Sequence, residues 1–241
     1  VISGYLISRI LLSELFVKGK ISFLQFYERR ARRILPILFT VFLASFPLAY
    51  KYLLPNQFIE YAQSILSATF FGSNIFFYFT NTQYGAEDSL LQPFLHTWSL
   101  GVEEQFYIFF IILVLLILRF VRSLNAFLRL LLIMSIITGV VSFILGFALS
   151  NGVRIAPLPT RLGFFSPFAR MWEIQLGVVV AILMRSKSVQ KINSRIADVL
   201  GLCGLILVFY AALSFSVFTN YPGYHALIPS FGTALIIISF S

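Results

Sequence analysis

Polar and ionisable side chains gather in residues 96–109, which read HTWSLGVEEQFYIF and open a long apolar run. No charge follows from Gln105 to Leu118, and with its polar start this run is long enough to cross a bilayer. Glu103 and Glu104 therefore lie inside the hydrocarbon or at its rim. An ionised carboxylate there is costly unless it is paired, protonated or facing water, so both glutamates are candidates for function.

Helical periodicity places four of these residues on one stripe: His96, Leu100, Glu103 and Tyr107. Ser99 lies beside the stripe, and Glu104 points about a quarter-turn away. A His–Glu pair can perform general acid–base chemistry, which makes His96, Glu103 and Glu104 candidate catalytic residues. The alternative is structural, with His96 capping the helix, Trp98 in the interfacial aromatic belt and the glutamates paired to distant arginines. Residue types leave both interpretations open, and the stripe favours Glu103 as the cavity-facing acid.

Four arginines, Arg29, Arg30, Arg32 and Arg33, precede Ile34–Pro36, where the sequence predicts the start of a membrane helix. Arg30 and Arg33 are three residues apart and Arg29 and Arg33 four apart, so one helical face presents them together. Guanidinium groups bind phosphates through planar, permanently charged contacts. The spacing is also typical of a topology anchor on anionic lipid headgroups, and both interpretations stay open.

Two later motifs favour structural roles. In RMWEIQLG (170–177), Arg170 and Glu173 are close enough to pair, or Arg170 neutralises Glu103 or Glu104, and Gly177 permits close helix approach. In YPGYHALIPSFG (221–232), His225 is interpreted as an interfacial residue. Two histidines far apart and one cysteine, Cys203, predict no metal site and no disulfide.

The composition requires lipid as the solvent for most of the chain. Of 241 residues, 59% are hydrophobic and 11% charged. The apolar runs are too long and continuous for barrel strands, so an all-α, polytopic transmembrane helix bundle is expected. The net charge of +9 lies mainly in short connections between apolar runs, which is the positive-inside pattern and excludes a soluble nucleic-acid-binding domain.

About seven or eight membrane segments are predicted, at 1–16, 35–54, 58–79, 98–118, 127–149, 168–184, 196–218 and 226–241. The connections Lys18–Arg33, Arg119–Arg129 and Arg185–Arg195 should be cytoplasmic, and 80–95, 151–167 and 219–225 external. This topology requires 58–79 to begin and end outside. Its FFGSN interruption favours a re-entrant or broken helix over a full crossing.

Both ends of the sequence lie inside apolar runs, VISGYLI and ALIIISFS. We therefore expect residues 1–241 to form one transmembrane domain truncated at both ends, with a first helix upstream and further helices downstream.

These motifs, in this order, resemble the integral-membrane acyltransferase 3 family, which includes O-antigen and peptidoglycan O-acetylases of bacteria. The resemblance covers nearly the whole chain and rests on VISGYLIS (1–8), FYERRARRILP (26–36), HTWSLGVEEQFYIF, RMWEIQLG and YPGYHALIPSFGTALII. It implies a membrane-bound acyltransferase of the bacterial inner membrane. Members move an acyl group, commonly acetyl from cytoplasmic acetyl-CoA, to a hydroxyl of an envelope glycan or lipid-linked sugar.

The same resemblance implies roles for individual residues. Arg30 and Arg33 would contact the phosphates of acyl-CoA, which is a donor substrate and not a resident cofactor. Trp98, Glu103, Glu104 and Tyr107 would shape the core cavity, and His96 would support a catalytic histidine expected upstream of this chain. Those implied roles compete with a polytopic transporter or flippase, which intramembrane acids and a broken helix would also serve. A sensor or structural subunit that has lost activity is a third possibility.

Overall fold

A computed structural model describes residues 1–80, 92–152, 162–185, 192–216 and 223–240 of the chain. These residues are almost entirely helical and contain no strand, which confirms the all-α prediction. The helices are α1 Ile2–Lys18, α2 Phe23–Tyr52, α3 Pro55–Thr69, α4 Ser73–Thr80, α5 Thr97–Phe120, α6 Leu124–Ser150, α7 Leu162–Phe165, α8 Pro167–Leu183, α9 Ser194–Ser214 and α10 Leu227–Ser239.

Four of the described helices, α2, α5, α6 and α9, are long and apolar enough to cross a bilayer. The helix-bundle prediction agrees with this, but the predicted count of seven or eight segments is not confirmed. The predicted external connections 80–95, 151–167 and 219–225 lie largely outside the described residues, as does most of the third basic connection. The single truncated domain over 1–241 stays a prediction.

The helices form two compact units, Ile21–Gln105 and Val1–Lys20 with Phe106–Ser241. The first contains α2, α3, α4 and the opening turns of α5. The second contains the remainder of α5 together with α1 and α6 to α10. In the second unit, α6 packs on α8, α9 on α10 and α1 on α8.

The start of α2 differs from the prediction. The helix begins at Phe23, where the Ser22 hydroxyl accepts a hydrogen bond from the Gln25 amide at 3.4 Å. The helix continues through Pro36, so the four arginines and the apolar segment that follows them belong to one helix. Pro36 lacks the amide that would donate to the Arg32 carbonyl, and the helix continues without that hydrogen bond. The Thr40 hydroxyl donates to the Pro36 carbonyl at 2.8 Å.

The predicted interruption of 58–79 is present as a break between α3 and α4. Phe71 adopts a left-handed conformation with φ 55°, which is strained for a bulky residue, and Gly72 follows it. The Gly72 amide donates to the Ser67 carbonyl at 2.8 Å and ends α3, and α4 starts at Ser73. The broken-helix interpretation is confirmed, and re-entry from one membrane face stays a prediction.

Small residues set the close helix contacts of the second unit. A methyl group at Gly177 would collide with the backbone of Val1 and Tyr5, and one at Gly4 with the carbonyl of Ile174. These contacts align α1 parallel to α8. The close approach predicted for Gly177 is therefore confirmed.

Candidate functional site

The arginine motif lies in the first turns of α2, where the four guanidinium groups have different surroundings. Arg29, Arg32 and Arg33 are exposed, and Arg30 is half-buried. The Arg32 guanidinium donates to Glu28 at 2.7 Å on the exposed surface. Such a surface pair contributes little to stability. The motif therefore does not act as one uniform charged face.

Arg30 connects the arginine motif of α2 to the HTWSLGVEEQFYIF motif at the start of α5 through a hydrogen bond to Glu104. Its Nε donates to Oε1 of Glu104 at 2.8 Å, across 74 residues of chain. The Glu104 side chain is only 2% exposed, whereas that of Arg30 is 25% exposed. A carboxylate so deeply buried needs a permanent cation, and Arg30 supplies it. The glutamate pairs with an arginine elsewhere in the chain, as the structural interpretation expected.

The two adjacent glutamates of α5 differ in burial. Glu104 is buried, and Glu103 is half-buried. The helical stripe favours Glu103 as the cavity-facing acid, and Tyr107 on the same stripe is buried. Because the burial of Glu104 is explained by its pairing with Arg30, the choice of Glu103 as the cavity-facing acid stays a prediction.

The start of α5 is fixed by hydroxyl groups. The buried Thr97 hydroxyl donates to the Phe94 carbonyl at 2.7 Å and shares a hydrogen bond of 2.9 Å with the buried Ser73 hydroxyl. His96 and Ser99 are exposed, and Trp98 is half-buried. The Ser99 hydroxyl donates to the His96 carbonyl at 3.1 Å. His96 thus stands at the helix start without contacting the buried Glu104, which is held by Arg30.

An amide pair connects the helix break to α5. Gln105 and Asn74 exchange hydrogen bonds at 2.9 and 3.1 Å, and Gln105 Nε2 also donates to the Phe71 carbonyl at 3.0 Å. Gly101 permits this approach, because a methyl group there would lie 2.8 Å from Asn74 Oδ1. FFGSN is therefore a docking surface for the HTWSLGVEEQ helix start.

A cavity of about 260 Å³ lies at the opposite end of α2 from the arginines, within the same unit. Its lining includes Gln57, Glu60, Tyr61, Ser64 and Gln92. Oε1 of Gln92 is buried without a hydrogen-bond partner among the described residues. With the Glu60 carboxylate, this oxygen gives the cavity hydrogen-bond acceptors that suit a ligand rich in hydroxyl or amine donors.

In the second unit, Arg170 Nη2 donates to Glu173 Oε2 at 2.8 Å. This is the near pairing that the sequence allowed for Arg170. His225 packs edge-on against Phe215, with the ring centroids 5.5 Å apart, and its position at the membrane interface stays a prediction. Among the described residues no group of His, Cys, Asp or Glu is arranged to hold a metal ion.

Comparison with known proteins then assigns the family. The whole chain, residues 1–241, matches the family described as an acyltransferase domain, Acyl_transf_3. The chain belongs to this acyltransferase family. Both the resemblance in the motifs and the predicted enzyme class are confirmed at this level.

Two relatives illustrate the extent of the match. The O-acetyltransferase OatA of Staphylococcus aureus (strain NCTC 8325 / PS 47) is 28% identical over 98% of this chain and 38% of its own length. An uncharacterized protein of Haemophilus influenzae is 30% identical over 98% of this chain and 94% of its own length. The chain thus spans about two fifths of the OatA relative. No solved structure matches it.

Several residues of this acyltransferase-family site were not anticipated from the sequence. Asn74, Gln105 and Ser73 are ordinary polar residues at single positions, and their partnership depends on a fold that brings FFGSN to α5. Glu60 could have been identified from the sequence as a candidate site residue, because it is an acid inside a predicted membrane segment.

Proposed function

We propose that the chain is the membrane domain of an O-acyltransferase that moves an acyl group, most simply acetyl, from cytoplasmic acyl-CoA to a hydroxyl of an envelope glycan. Family membership and the name of the OatA relative support the reaction class. The observation that carries the proposal for this chain is the exposed guanidinium surface on the first turns of α2, beside the ion pair that anchors it.

The donor's phosphates are assigned to this surface. Acyl-CoA carries several phosphate charges, and exposed guanidinium groups bind phosphate through charge-assisted, often bidentate hydrogen bonds. Arg33 is the sharpest candidate, because it is exposed and forms no ion pair among the described residues. Arg30 is assigned a different role, which is to hold Glu104 and fix the end of α2 that presents Arg29 and Arg33.

The chemical step is acyl transfer between sulfur and oxygen. The C–S bond of the thioester breaks as the acyl group passes to a nucleophile of the protein, and the acceptor hydroxyl oxygen then attacks this acyl carbonyl and releases the nucleophile. The hydroxyl proton is transferred through a base to the CoA thiolate. Cationic or amide groups would stabilise the transient oxyanion. His96 is assigned a supporting role, because it is exposed at the start of α5 and does not pair with the buried glutamate.

The acceptor is assigned to the cavity around Glu60 and Gln92. Leu53, in its lining, lies 23 residues beyond Arg30 on α2, which is about 35 Å at 1.5 Å per residue and comparable to a bilayer. If the arginine end is cytoplasmic, as the positive-inside rule requires, the cavity lies at the outer face. Its carboxylate and amide oxygens accept hydrogen bonds from sugar hydroxyls, and Tyr61, Phe76 and Phe77 offer apolar ring surfaces.

The proposal is tested with the protein in its natural form in inside-out membrane vesicles supplied with radiolabelled acetyl-CoA. Arg33→Gln should raise the KM for acetyl-CoA by about 10- to 100-fold, since a charge-assisted hydrogen bond contributes about 1.5–3 kcal/mol. Arg129→Gln, at another exposed arginine, is the matched control and should leave the KM unchanged. Equal KM values for acetyl-CoA in the two variants would show that the donor does not bind at Arg33 on α2.

A transporter or flippase is the second candidate function. The break between α3 and α4, with buried Ser73 and Asn74, is a feature that membrane transporters also use at substrate sites. In the same vesicles, a correctly folded protein that transfers no label but moves a lipid-linked sugar across the bilayer would favour this function over the enzyme.

A further inference from the structure

A second cavity, of about 450 Å³, lies in the other compact unit, between residues 5–12 of α1, the C-terminal end of α8 and the end of α10. Its polar lining consists of Tyr5, Arg9 and Arg185, and Leu12, Met184 and Phe240 contribute apolar surface. The volume is within the range of small-molecule sites. The proposed donor and acceptor sites use none of these residues.

Close packing fixes the walls of this cavity. The first turn of α1 packs on α8 at Gly177, where an added methyl group would lie 2.6 Å from the Tyr5 amide nitrogen. The cavity lies beyond this contact, where Arg9 on α1 and Arg185 just after α8 contribute to its lining. The small-residue contact therefore fixes one end of the cavity.

The charge of the cavity lining is entirely positive. Arg9 and Arg185 form no ion pair with any described residue, and the lining contains no carboxylate. The guanidinium of Arg185 lies 3.7 Å from the centre of the Phe16 ring, a cation–π contact that restrains its position. The acid of this part of α1, Glu14, is paired with Lys18 at 3.0 Å.

Arg9 is also unusually deep. It lies nine residues before Lys18 on α1, about 14 Å along the axis at 1.5 Å per residue. An arginine at this depth in a membrane helix is costly, and such residues mark binding sites or pathways unless they are neutralised. Arg9 is exposed to the cavity, so a bound anion would neutralise it.

We propose that Arg9, Arg185 and Tyr5 form a binding site for a phosphate-bearing anion between α1 and the predicted cytoplasmic end of α8. All three side chains offer hydrogen-bond donors, and two guanidinium groups match the charge and the planar geometry of phosphate oxygens. The phosphate belongs either to an anionic lipid headgroup or to a soluble nucleotide such as the phosphorylated end of CoA. The site does not depend on the acyltransferase proposal.

The test uses the protein in its natural form in nanodiscs, with two probes. The first probe is phosphatidylglycerol in the bilayer, compared with phosphatidylcholine alone. The second is adenosine 3′,5′-bisphosphate, titrated in phosphatidylcholine nanodiscs at low salt. The readouts are the midpoint of thermal unfolding for the lipid and the Kd from calorimetry for the nucleotide.

One of the two probes should bind, with its affinity reduced tenfold or more in both Arg9→Gln and Arg185→Gln. Arg195→Gln on α9, an exposed arginine outside the cavity, is the matched control and should bind like the wild type. Arg9→Lys keeps the charge without the bidentate fork and should recover part of the affinity if Arg9→Gln is too unstable to measure.

The outcomes are distinct. Stabilisation by phosphatidylglycerol alone identifies a lipid site, and binding of the bisphosphate alone identifies a nucleotide site. Binding of neither probe by the folded wild type overturns the proposal, as does equal binding by the Arg185→Gln and Arg195→Gln variants.

Discussion

At the scale of single residues, the ion pair between Arg30 and Glu104 changes how the arginine motif is interpreted. The sequence offered Arg30 and Arg33 as equivalent phosphate ligands. The structure gives Arg30 a buried carboxylate as its partner and leaves Arg33 exposed. A variant that removes both arginines would therefore combine loss of a buried pair with loss of an exposed charge, and the two effects must be measured separately.

Removing Arg30 alone should destabilise the fold strongly. Arg30→Leu leaves the buried Glu104 without this cation, which we expect to lower the free energy of unfolding by about 3–5 kcal/mol. The double variant Arg30→Leu/Glu104→Leu should recover most of that loss, because no buried charge remains. Equilibrium unfolding in detergent measures both. Arg32→Leu, which breaks an exposed pair, should cost about 1 kcal/mol or less, and an equal cost for Arg30→Leu would contradict the assignment.

His96 should contribute to activity only modestly. General acid–base catalysis typically contributes 10²–10⁴-fold to a rate, so His96→Gln would cost that much if His96 were the essential base. Because His96 is exposed at the start of α5, we expect kcat to fall by less than about tenfold. Single-turnover transfer from labelled acetyl-CoA measures this. A loss of a thousandfold would assign the base to His96.

At the scale of elements, the break between α3 and α4 organises the start of α5. The broken-helix prediction followed from Gly-Ser-Asn inside an apolar run, a local signal that sequence carries well. What the break contacts was not predictable, because Asn74 and Gln105 are brought together only when α4 docks on α5. The predicted start of α2, at Ile34–Pro36, was wrong. A proline that follows four arginines resembles the first turn of a helix, but α2 begins at Phe23 and continues through Pro36.

Replacing Gln105 should loosen this docking. Gln105→Leu removes the bonds to Asn74 and the Phe71 carbonyl, with an expected loss of about 1–3 kcal/mol in the free energy of unfolding. Hydrogen exchange of the backbone amides in α4 should rise with it. Unchanged exchange in α4 would show that the amide pair does not hold the break in place.

The contact of α1 with α8 should tolerate no side chain at Gly177. Gly177→Ala places a methyl group against the Val1 and Tyr5 backbone, and overpacking of this kind typically costs about 1–3 kcal/mol. Gly139→Ala is the matched control, since its methyl group would lie 3.4 Å from the Gln175 side chain, close to an ordinary contact. Thermal unfolding in detergent compares the two variants, and equal midpoints would contradict the close packing.

At the scale of the whole molecule, the composition predicted a helical membrane protein. The placement of the basic residues predicted which connections between helices are cytoplasmic. Apolar helices in lipid need only length and hydropathy to be recognised, which is why α2, α5, α6 and α9 were found from sequence. Helices such as α1 and α8, at 17 residues each, do not reach the length of a candidate span by themselves. The sequence predicted both as apolar segments, at 1–16 and 168–184, but glycines such as Gly177 are its only indication of how these helices pack.

The predicted orientation places Lys20 inside and Lys51 outside. The chain has a single cysteine, so a Cys203→Ser background permits one new cysteine at a time. Lys51→Cys should react with an impermeant maleimide added to intact cells, and Lys20→Cys should react only after the membrane is opened. The reverse labelling pattern would show that the predicted topology is inverted, and each proposed substrate site would then lie at the opposite membrane face.

The ion pair of Arg30 and Glu104 also has a consequence for biosynthesis. The two residues are 74 positions apart, and at roughly 5–20 residues per second the ribosome needs roughly 4–15 seconds to make the second after the first. During that interval Arg30 cannot form its pair with Glu104. We expect the pair to form only after residue 104 has been synthesised, which makes it a late contact in the folding of the chain.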